Sequence, residues 1–268
     1  MNVSLIIAAG GGGRRFREES KGKRRLTKLF LGLAGRPLLA HTLEAFREIP
    51  QIREIVLAIP PGTQEWAKRH LLNELRQGPP IRFVRGGKTR AESVWNALKR
   101  TSPKNDWVMV HDGARPFPPR KAILEMLKQG RGGPTDAFIL ARPVIPTLKK
   151  VSASNGRILE TVDRKNLFEA ETPQLVRRSV LLKAYRKNPK AFLATDEASL
   201  VESIGGRVKV HAHSGWNLKV TTPGDLELAE ADYLRSVGAG FKPAPPIRIG
   251  LGRDTHRLVE GRKFYLGG

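Results

Sequence analysis

A glycine-rich turn and several cations near the amino terminus could together bind phosphate groups. The apolar run at residues 3–8 carries no charge and is typical of a buried parallel strand, and glycines follow it closely. Glycine permits a sharp turn and leaves backbone N–H groups free to bind an anion. Without the flanking strand and cations, the turn would be equally typical of a simple loop. The candidate anion-binding residues are Gly10, Gly11, Gly12, Gly13, Arg14, Arg15 and Lys28.

Two later segments place polar residues directly after predicted strands. Gly86 begins a turn that leads to Arg90 and Ser93, and Asp112 follows the apolar run at 107–110. A carboxylate oxygen is a ligand that Mg²⁺ accepts while it bridges substrate phosphates. Asp112 could equally cap a turn, and Arg90 could equally be the structural partner of an acid. The residue types favour phosphate chemistry and leave these structural roles open.

The composition limits the classes of protein to which the chain can belong. Its 268 residues, 40% of them hydrophobic, suffice for one substantial α/β domain, alone or with a small appendage. No apolar run approaches the roughly 18 residues of a membrane span, and the amino terminus lacks a signal-peptide pattern. There are no cysteines, which excludes disulfides and thiolate chemistry. We therefore expect a cytoplasmic protein with no membrane partner.

The chain is strongly basic, with 48 Lys and Arg against 25 Asp and Glu and a net charge of +23. Such an excess is typical of nucleic-acid binding. Here, however, the basic residues are spread along the whole sequence, and aromatic side chains suited to base stacking make up only 6%. A highly phosphorylated small substrate also requires positive charge, so nucleic acid is not the expected partner.

Strands and helices must position these residues, and the two alternate over the first half of the chain. This alternation predicts βαβ crossovers and a mostly parallel sheet. Ligands of such sheets bind at the carboxyl ends of the strands, so the glycine turn, residues 86–93 and residues 112–115 should converge on one crevice. The predicted strands are 3–8, 55–59, 81–84 and 107–110, and the predicted helices are one carrying Leu39, Thr42, Leu43 and Phe46, one at 64–76 and one at 90–99.

The pattern changes at residues 142–172, which predict an extended hairpin, or β-arm, that projects from the sheet. Such an arm usually packs on something, often a second subunit. Residues 1–235 would form one domain and 236–246 a Gly/Pro linker. Residues 247–268 would begin a second unit, but these 22 residues are too few to bury a core of their own. Further predicted elements are helices at 177–185 and 196–203, strands at 208–211 and 218–220, and a helix from Pro223 to about 235.

The motifs occur in an order that resembles a known family. They are Ala8-Ala9-Gly10 with the following glycines and Arg15, Lys28, Gly86 to Ser93, His111 to Pro116, Thr161 to Arg164, Thr172-Pro173-Gln174, Thr195 to Ser199, and Asn217 to Thr221. Over residues 3 to about 235 the chain resembles 2-C-methyl-D-erythritol 4-phosphate cytidylyltransferases. The resemblance implies a Rossmann-like nucleotidyltransferase fold, a homodimer formed through the arm, and Mg²⁺-dependent transfer of CMP from CTP to methylerythritol phosphate in non-mevalonate isoprenoid synthesis.

The resemblance also implies a role for each matching residue. Arg15, Lys28 and Lys219 would be catalytic, and Asp112 would hold Mg²⁺. Without the resemblance, Lys219 would be read as a solvated edge-strand lysine. CTP would bind at Ala8, Ala9, Gly10, Gly11, Gly12, Gly13, Gly86, Arg90, Ser93 and Asp112. Methylerythritol phosphate would bind at Arg115, Thr147, Arg164 and Thr172, the arm residues reaching across the dimer.

Residues 247–268 resemble the beginning of methylerythritol cyclodiphosphate synthase, which some organisms fuse behind the cytidylyltransferase. Asp254 and His256 match two of three ligands of a divalent metal, usually zinc, and the third lies beyond the sequence. We therefore expect no cyclase activity from this chain.

Several positions depart from the family pattern. The extra glycine makes Arg14 and Arg15 alternatives for one role, Thr27 replaces a proline, and Gly113 replaces a common alanine. These differences concern the shape of the phosphate loop. The alternatives to the family function are a nucleotidyltransferase acting on another polyol phosphate and a basic nucleic-acid binder without catalysis.

Overall fold

The structure is a computed structural model that describes residues 1–11, 28–72 and 78–237, without the side chains of Lys28 and Leu72. Its centre is a seven-stranded sheet with the order β11-β7-β10-β6-β1-β4-β5. In that sheet β10 runs antiparallel to both its neighbours, and the other pairings are parallel. The strands are β1 (Val3–Ala8), β2 (Gly32–Leu33), β3 (Arg36–Pro37), β4 (Ile52–Ile59), β5 (Ile81–Arg85), β6 (Trp107–Asp112), β7 (Ala137–Pro143), β8 (Leu148–Val151), β9 (Ile158–Val162), β10 (Phe168–Arg177) and β11 (Val208–Ala212).

Three of the described α-helices begin at a residue whose side chain caps them. The Thr89 side chain caps one helix by accepting from Glu92 N, and Thr222 with Asp225 forms a capping box around Pro223 at another. No helix within the described ranges is long and apolar enough to cross a membrane. The α-helices are α1 (Leu38–Arg47), α2 (Gln64–Ala67), α3 (Arg90–Leu98), α4 (Arg120–Gln129), α5 (Arg178–Lys187), α6 (Glu197–Glu202) and α7 (Pro223–Ser236).

The sheet is buried on both faces. Along β1, Leu5 and Ile7 belong to one apolar cluster, whereas Ile6 belongs to a second cluster on the opposite face. All three side chains are 0% exposed. This explains why the strand reads as a continuous apolar run rather than as an alternating one.

A β-arm projects from the carboxyl edge of the sheet between β7 and β10. Its antiparallel strands β8 and β9 pair Leu148 with Val162 and Val151 with Ile158. Several large apolar side chains on and beside the arm are exposed, namely Ile145, Val151, Ile158, Leu159 and Phe168. Single exposed apolar residues are normal, whereas a contiguous group of them is typical of interaction surfaces in general.

The structure confirms the α/β fold with a mostly parallel sheet and the hairpin within residues 142–172. One predicted element is wrong, and a second is confirmed only in part. Residues 218–220 form no strand, because Val220 N donates to Ala114 O in a loop contact rather than in a ladder. The predicted helix at 64–76 is α-helical only to Ala67 and continues as a π-helical turn at Lys68–Leu72. Residues 73–77 are not among the residues that the structure describes.

Sequence reasoning missed α4, β7 and the continuation of β10 into the centre of the sheet. It assigned residues up to Thr172 to the arm, whereas β10 carries the chain from the arm back between β6 and β7. Helix α7 ends at Ser236, one residue after the predicted boundary. The rest of the predicted linker and the tail at 247–268 lie outside the described residues.

Candidate functional site

Three loops meet at the carboxyl edge of the parallel strands. Gly113 N donates to Ala8 O at 3.1 Å, which joins the loop after β6 to the end of β1. Gly10 lies so close to the turn after β5 that a Cβ atom there would be 2.7 Å from Ser93 Oγ and 2.9 Å from Gly86 Cα. Glycine is therefore required at residue 10 for the approach of the two backbones. The structure brings Gly10, Gly86, Ser93 and the 112–115 loop together as predicted.

Part of the predicted phosphate loop is outside the described residues. Ala8, Ala9, Gly10 and Gly11 are described, and Gly11 is exposed. The undescribed candidates are Gly12, Gly13, Arg14 and Arg15, together with the side chain of Lys28.

Asp112 lies between two cations that are distant from it in the chain. Its Oδ1 accepts from Arg90 Nε at 2.8 Å, and its Oδ2 lies 2.7 Å from Lys219 Nζ. Burial alone would raise the pKa of the Asp112 carboxyl, but Arg90 and Lys219 together hold it far below its usual range. The two cations therefore favour the ionised form of the carboxylate. We call Arg90, Asp112, Arg115, Glu197 and Lys219 the Asp112 cluster.

Arg90 is anchored by a second acid, Glu197, at the start of α6. Its Nη1 and Nη2 donate to the two carboxylate oxygens of Glu197 at 2.8 and 3.0 Å. Burial lowers the pKa of Arg90, but Glu197 and Asp112 raise it well above its ordinary value. The bidentate pair confirms the alternative that Arg90 is the partner of an acid, and leaves Arg90 fixed beside Asp112.

Glu197 was not predicted as a site residue, although it lies inside a motif that the sequence resemblance uses. Its backbone N–H and that of Ala198 both donate to Gln174 Oε1 at 3.0 Å, so β10 fixes the start of α6. Its place within the Thr195 to Ser199 motif was the available signal. Its partner could not be identified, because Arg90 and Glu197 are 107 residues apart.

Backbone contacts on both sides hold the segment that carries Lys219. Val220 N donates to Ala114 O at 2.8 Å, and Arg115 Nη1 donates to Asn217 O. The Asn217 side chain donates to Thr172 O at 2.8 Å. With 39% of its side chain exposed, Lys219 remains partly open to solvent beside Asp112. It is neither a solvated edge-strand lysine nor a strand residue.

His111 supports this loop as a neutral, buried side chain. Its Nε2 is 2.9 Å from Arg115 O, and its ring packs edge-on against Phe46 with centroids 4.8 Å apart. Burial lowers the pKa of His111 to about 4. Its Nδ1 has no hydrogen-bond partner within the described residues, so the neutral tautomer that donates from Nε2 fits the site.

The predicted substrate residues fall into two groups. Thr172 Oγ1 accepts from Asp112 N at 3.1 Å, and Arg115 Nε is 3.9 Å from Asp112 Oδ2, so both lie at the Asp112 cluster. Thr147 and Arg164 are exposed on the β-arm, where Arg164 Nη1 donates to Ile145 O. Within one chain the structure does not bring these two arm residues into the cluster.

Asp112 can offer a metal one carboxylate. No group of three or more His, Cys, Asp or Glu side chains suited to a metal occurs in the described part of the chain. Both of its oxygens already face cations. Mg²⁺ commonly uses one or two carboxylates together with substrate phosphates. Asp112 could therefore serve as one ligand of an ion bound to the phosphates, once Lys219 has moved away from it. Asp254 and His256 lie outside the described residues.

Comparisons with known proteins place the chain in a family. A family model for 2-C-methyl-D-erythritol 4-phosphate cytidylyltransferase matches residues 3–236. The chain is 41% identical over 229 residues to a Bacillus cereus protein of that name, covering 85% of this chain and 96% of that protein. It is similar to the crystal structure of 4-diphosphocytidyl-2C-methyl-D-erythritol synthase from Anaerococcus prevotii, with a TM-score of 0.72, 28% identity and coverage of 87% of this chain and 98% of that one.

A longer relative extends beyond this chain. The "Bifunctional enzyme IspD/IspF" of Desulforudis audaxviator is 36% identical over 264 residues, which cover 98% of this chain and 62% of that protein. The chain thus spans less than two thirds of the length of this bifunctional relative.

Proposed function

This chain belongs to the 2-C-methyl-D-erythritol 4-phosphate cytidylyltransferase family, and on that premise we propose that it transfers CMP from CTP to 2-C-methyl-D-erythritol 4-phosphate. The products are 4-diphosphocytidyl-2-C-methyl-D-erythritol and pyrophosphate, in non-mevalonate isoprenoid precursor synthesis. The main observation in support of the proposal is the Asp112 cluster. There Lys219 and Arg90 flank one carboxylate beside the turns at Gly10 and Gly86.

The reaction forms a bond between a phosphate oxygen of the alcohol substrate and the α-phosphorus of CTP. The bond from the α-phosphorus to the β-phosphate oxygen breaks, and pyrophosphate leaves. Negative charge then grows on the α-phosphate and on the leaving group, so cations fixed in advance are what the protein can contribute. Lys219 would turn from Asp112 to the α-phosphate, with Lys28 beside it.

The nucleotide would occupy the glycine turns. Backbone N–H groups of the loop after β1, with Arg15 or Arg14, would hold the β- and γ-phosphates, and the turn at Gly86, Arg90 and Ser93 would hold the cytidine. Mg²⁺ bound to the phosphates would neutralise part of their charge, with Asp112 as one of its ligands.

The second substrate would bind between the Asp112 cluster and the arm of another protomer. Arg115 and Thr172 lie at the cluster, and Arg164 has the planar fork that fits a phosphate bidentately. Arg164 and Thr147 are on the arm, so they would reach that phosphate in a homodimer formed through it. The exposure of Ile145 (80%) and Ile158 (58%) supports such an interface.

The remaining assignments are also proposals. A substrate pair of small polar metabolites fits a cytoplasmic enzyme.

The test is a pyrophosphate-release assay with CTP, Mg²⁺ and methylerythritol phosphate, run in parallel with ribitol phosphate. We expect turnover with the former, and a loss on the order of 100-fold to 1000-fold in Lys219→Ala and in Lys28→Ala. Lys209→Ala, at an exposed lysine of the edge strand β11, should match the parent. Turnover of ribitol phosphate alone would contradict the choice of substrate.

A further inference from the structure

Glu171 is a buried glutamate beside the Asp112 cluster. It has no role in the reaction as proposed above. It lies on β10 immediately before Thr172 and is 3% exposed. An ionised carboxylate at this depth is stable only if cations and donors surround it. Its partners therefore show what it holds in place.

Four side chains surround the Glu171 carboxylate. Its Oε1 accepts from Arg142 Nε at 2.7 Å and lies 3.9 Å from Arg115 Nη1. Its Oε2 accepts from Asn217 Nδ2 at 2.7 Å and is 3.0 Å from His213 Nε2. Two arginines, a histidine and an amide, from three parts of the chain, thus share one acid.

Two of these partners lead directly to the Asp112 cluster. The side-chain amide of Asn217 donates to Glu171 and to the Thr172 carbonyl. The main-chain carbonyl of Asn217 accepts from Arg115, and Lys219 follows two residues later. Arg115 faces both Glu171 and Asp112 at 3.9 Å. Burial lowers the pKa of Arg115 and the positive charge of Arg142 adds to this, whereas Asp112 and Glu171 oppose the effect. Loss of the acid would leave the two arginines without their shared counter-ion.

We infer that Glu171 is a positioning residue for the transfer reaction: its carboxylate holds Arg115 and the Asn217–Lys219 segment where the reacting phosphates require them. It acts through these residues and contacts neither substrate. The inference rests on the proposed function, because it assigns Glu171 to that same reaction.

The kinetic test uses two substitutions that differ in what they remove. Glu171→Gln retains the shape and one acceptor oxygen but loses the charge, whereas Glu171→Leu loses both. Because misplacement of a catalytic group by about 1 Å costs on the order of 100-fold, we expect kcat to fall roughly 10-fold in the first and roughly 100-fold in the second. The KM for CTP should change little.

Glu169→Gln is the matched control. Glu169 lies on the same strand, contacts Arg142 at 3.5 Å and is exposed, so its loss should leave kcat at the parent level. Equal rates in Glu171→Gln, Glu171→Leu and the parent would overturn the inference.

A double substitution distinguishes positioning from general destabilisation. If Glu171 acts through Lys219, then adding Glu171→Gln to Lys219→Ala should cost little further rate, because residues that act as a unit are not additive. A full 10-fold further loss would overturn the inference that Glu171 acts by positioning Lys219. This measurement keeps the test valid even if Glu171→Leu does not fold.

A crystal structure of Glu171→Gln separates this inference from the proposed function. We expect Asn217 to shift and the 2.7 Å contact between Lys219 and Asp112 to lengthen. If the parent fails to turn over CTP and methylerythritol phosphate, the proposed function is wrong, and the structure still tests the positioning of Lys219. An unchanged position of Asn217 and Lys219 would overturn it.

Discussion

The Nζ atom of Lys219 lies 2.7 Å from the Oδ2 atom of Asp112, while Arg90 Nε lies 2.8 Å from the other carboxylate oxygen. Asp112 is thus the counter-ion of two cations at the edge of the sheet where phosphates are proposed to bind. A polyphosphate must compete with this carboxylate for Lys219. The arrangement keeps positive charge oriented at the site before the substrate arrives, which is the kind of preorganisation that electrostatic catalysis requires.

Asp112→Asn should lower the free energy of unfolding at pH 7 by about 1.5–3 kcal/mol, because Arg90 and the partly exposed Lys219 lose the carboxylate that they share. The pKa of Asp112 is held low, so its stabilising effect is present above an unfolded-state pKa of about 4 and is lost as the pH falls below it. The difference between parent and variant should therefore shrink by roughly 1 kcal/mol at pH 3.

Urea unfolding at both pH values measures this effect. Asp106→Asn, at an exposed aspartate, should change stability by less than about 0.5 kcal/mol. A variant whose deficit grows on acidification would contradict the assignment.

Glu197→Ala should be strongly destabilising, by about 3–5 kcal/mol, since it removes both acceptors of the Arg90 fork at a site where Glu197 is 1% exposed. Activity should fall with it, because Arg90 would no longer be fixed beside Asp112. Denaturant unfolding and the pyrophosphate assay measure the two effects. The exposed Glu202 ends the same helix, and Glu202→Ala should resemble the parent. Similar stabilities for the two variants would contradict the role of the pair.

The stability of the parent should increase with pH between about pH 4 and pH 6.5 in part because of His111. Its pKa is lowered from 6.5 to about 4, so within this window the unfolded chain binds a proton that the folded protein does not. This corresponds to about 2 kcal/mol between pH 5 and pH 7.5.

His111→Gln should remove that part of the pH dependence. The measurement is the free energy of unfolding at pH 5 and at pH 7.5, and the difference between these two values is compared for parent and variant. The exposed His70 provides the control, and His70→Gln should keep the parent's slope. An unaltered slope in His111→Gln would show that His111 is not the group responsible.

Charges placed on the arm should separate the proposed dimer into monomers. Val151 and Ile158 face each other across the hairpin and are 53% and 58% exposed. The double variant Val151→Asp with Ile158→Asp should sediment as a monomer and lose turnover, because burying the charges in an interface is unfavourable. Leu193→Asp, at a 76% exposed leucine outside the arm, should retain the parent's mass. A monomeric parent would exclude the arm interface.

Much of the architecture follows from local patterns that the sequence displays. Apolar runs such as 3–8 are uninterrupted because the parallel strands are buried on both faces, and the helix with Leu39, Leu43 and Phe46 shows its buried stripe directly. The loops at Gly10, Gly86 and Asp112 follow strands, so their convergence follows from parallel pairing alone. Burial and turn formation depend mainly on neighbouring residues, which is why these predictions are correct.

Other features were decided only by the tertiary structure. The return of β10 into the centre of the sheet, the pairing of Arg90 with Glu197 and the sharing of Glu171 by Arg115, Arg142 and Asn217 each join distant parts of the chain. A charged residue carries no local mark of its partner, because an ion pair depends on distance in space rather than on separation in sequence. The chain by itself therefore determined which cations and acids were available, and folding decided which of them meet.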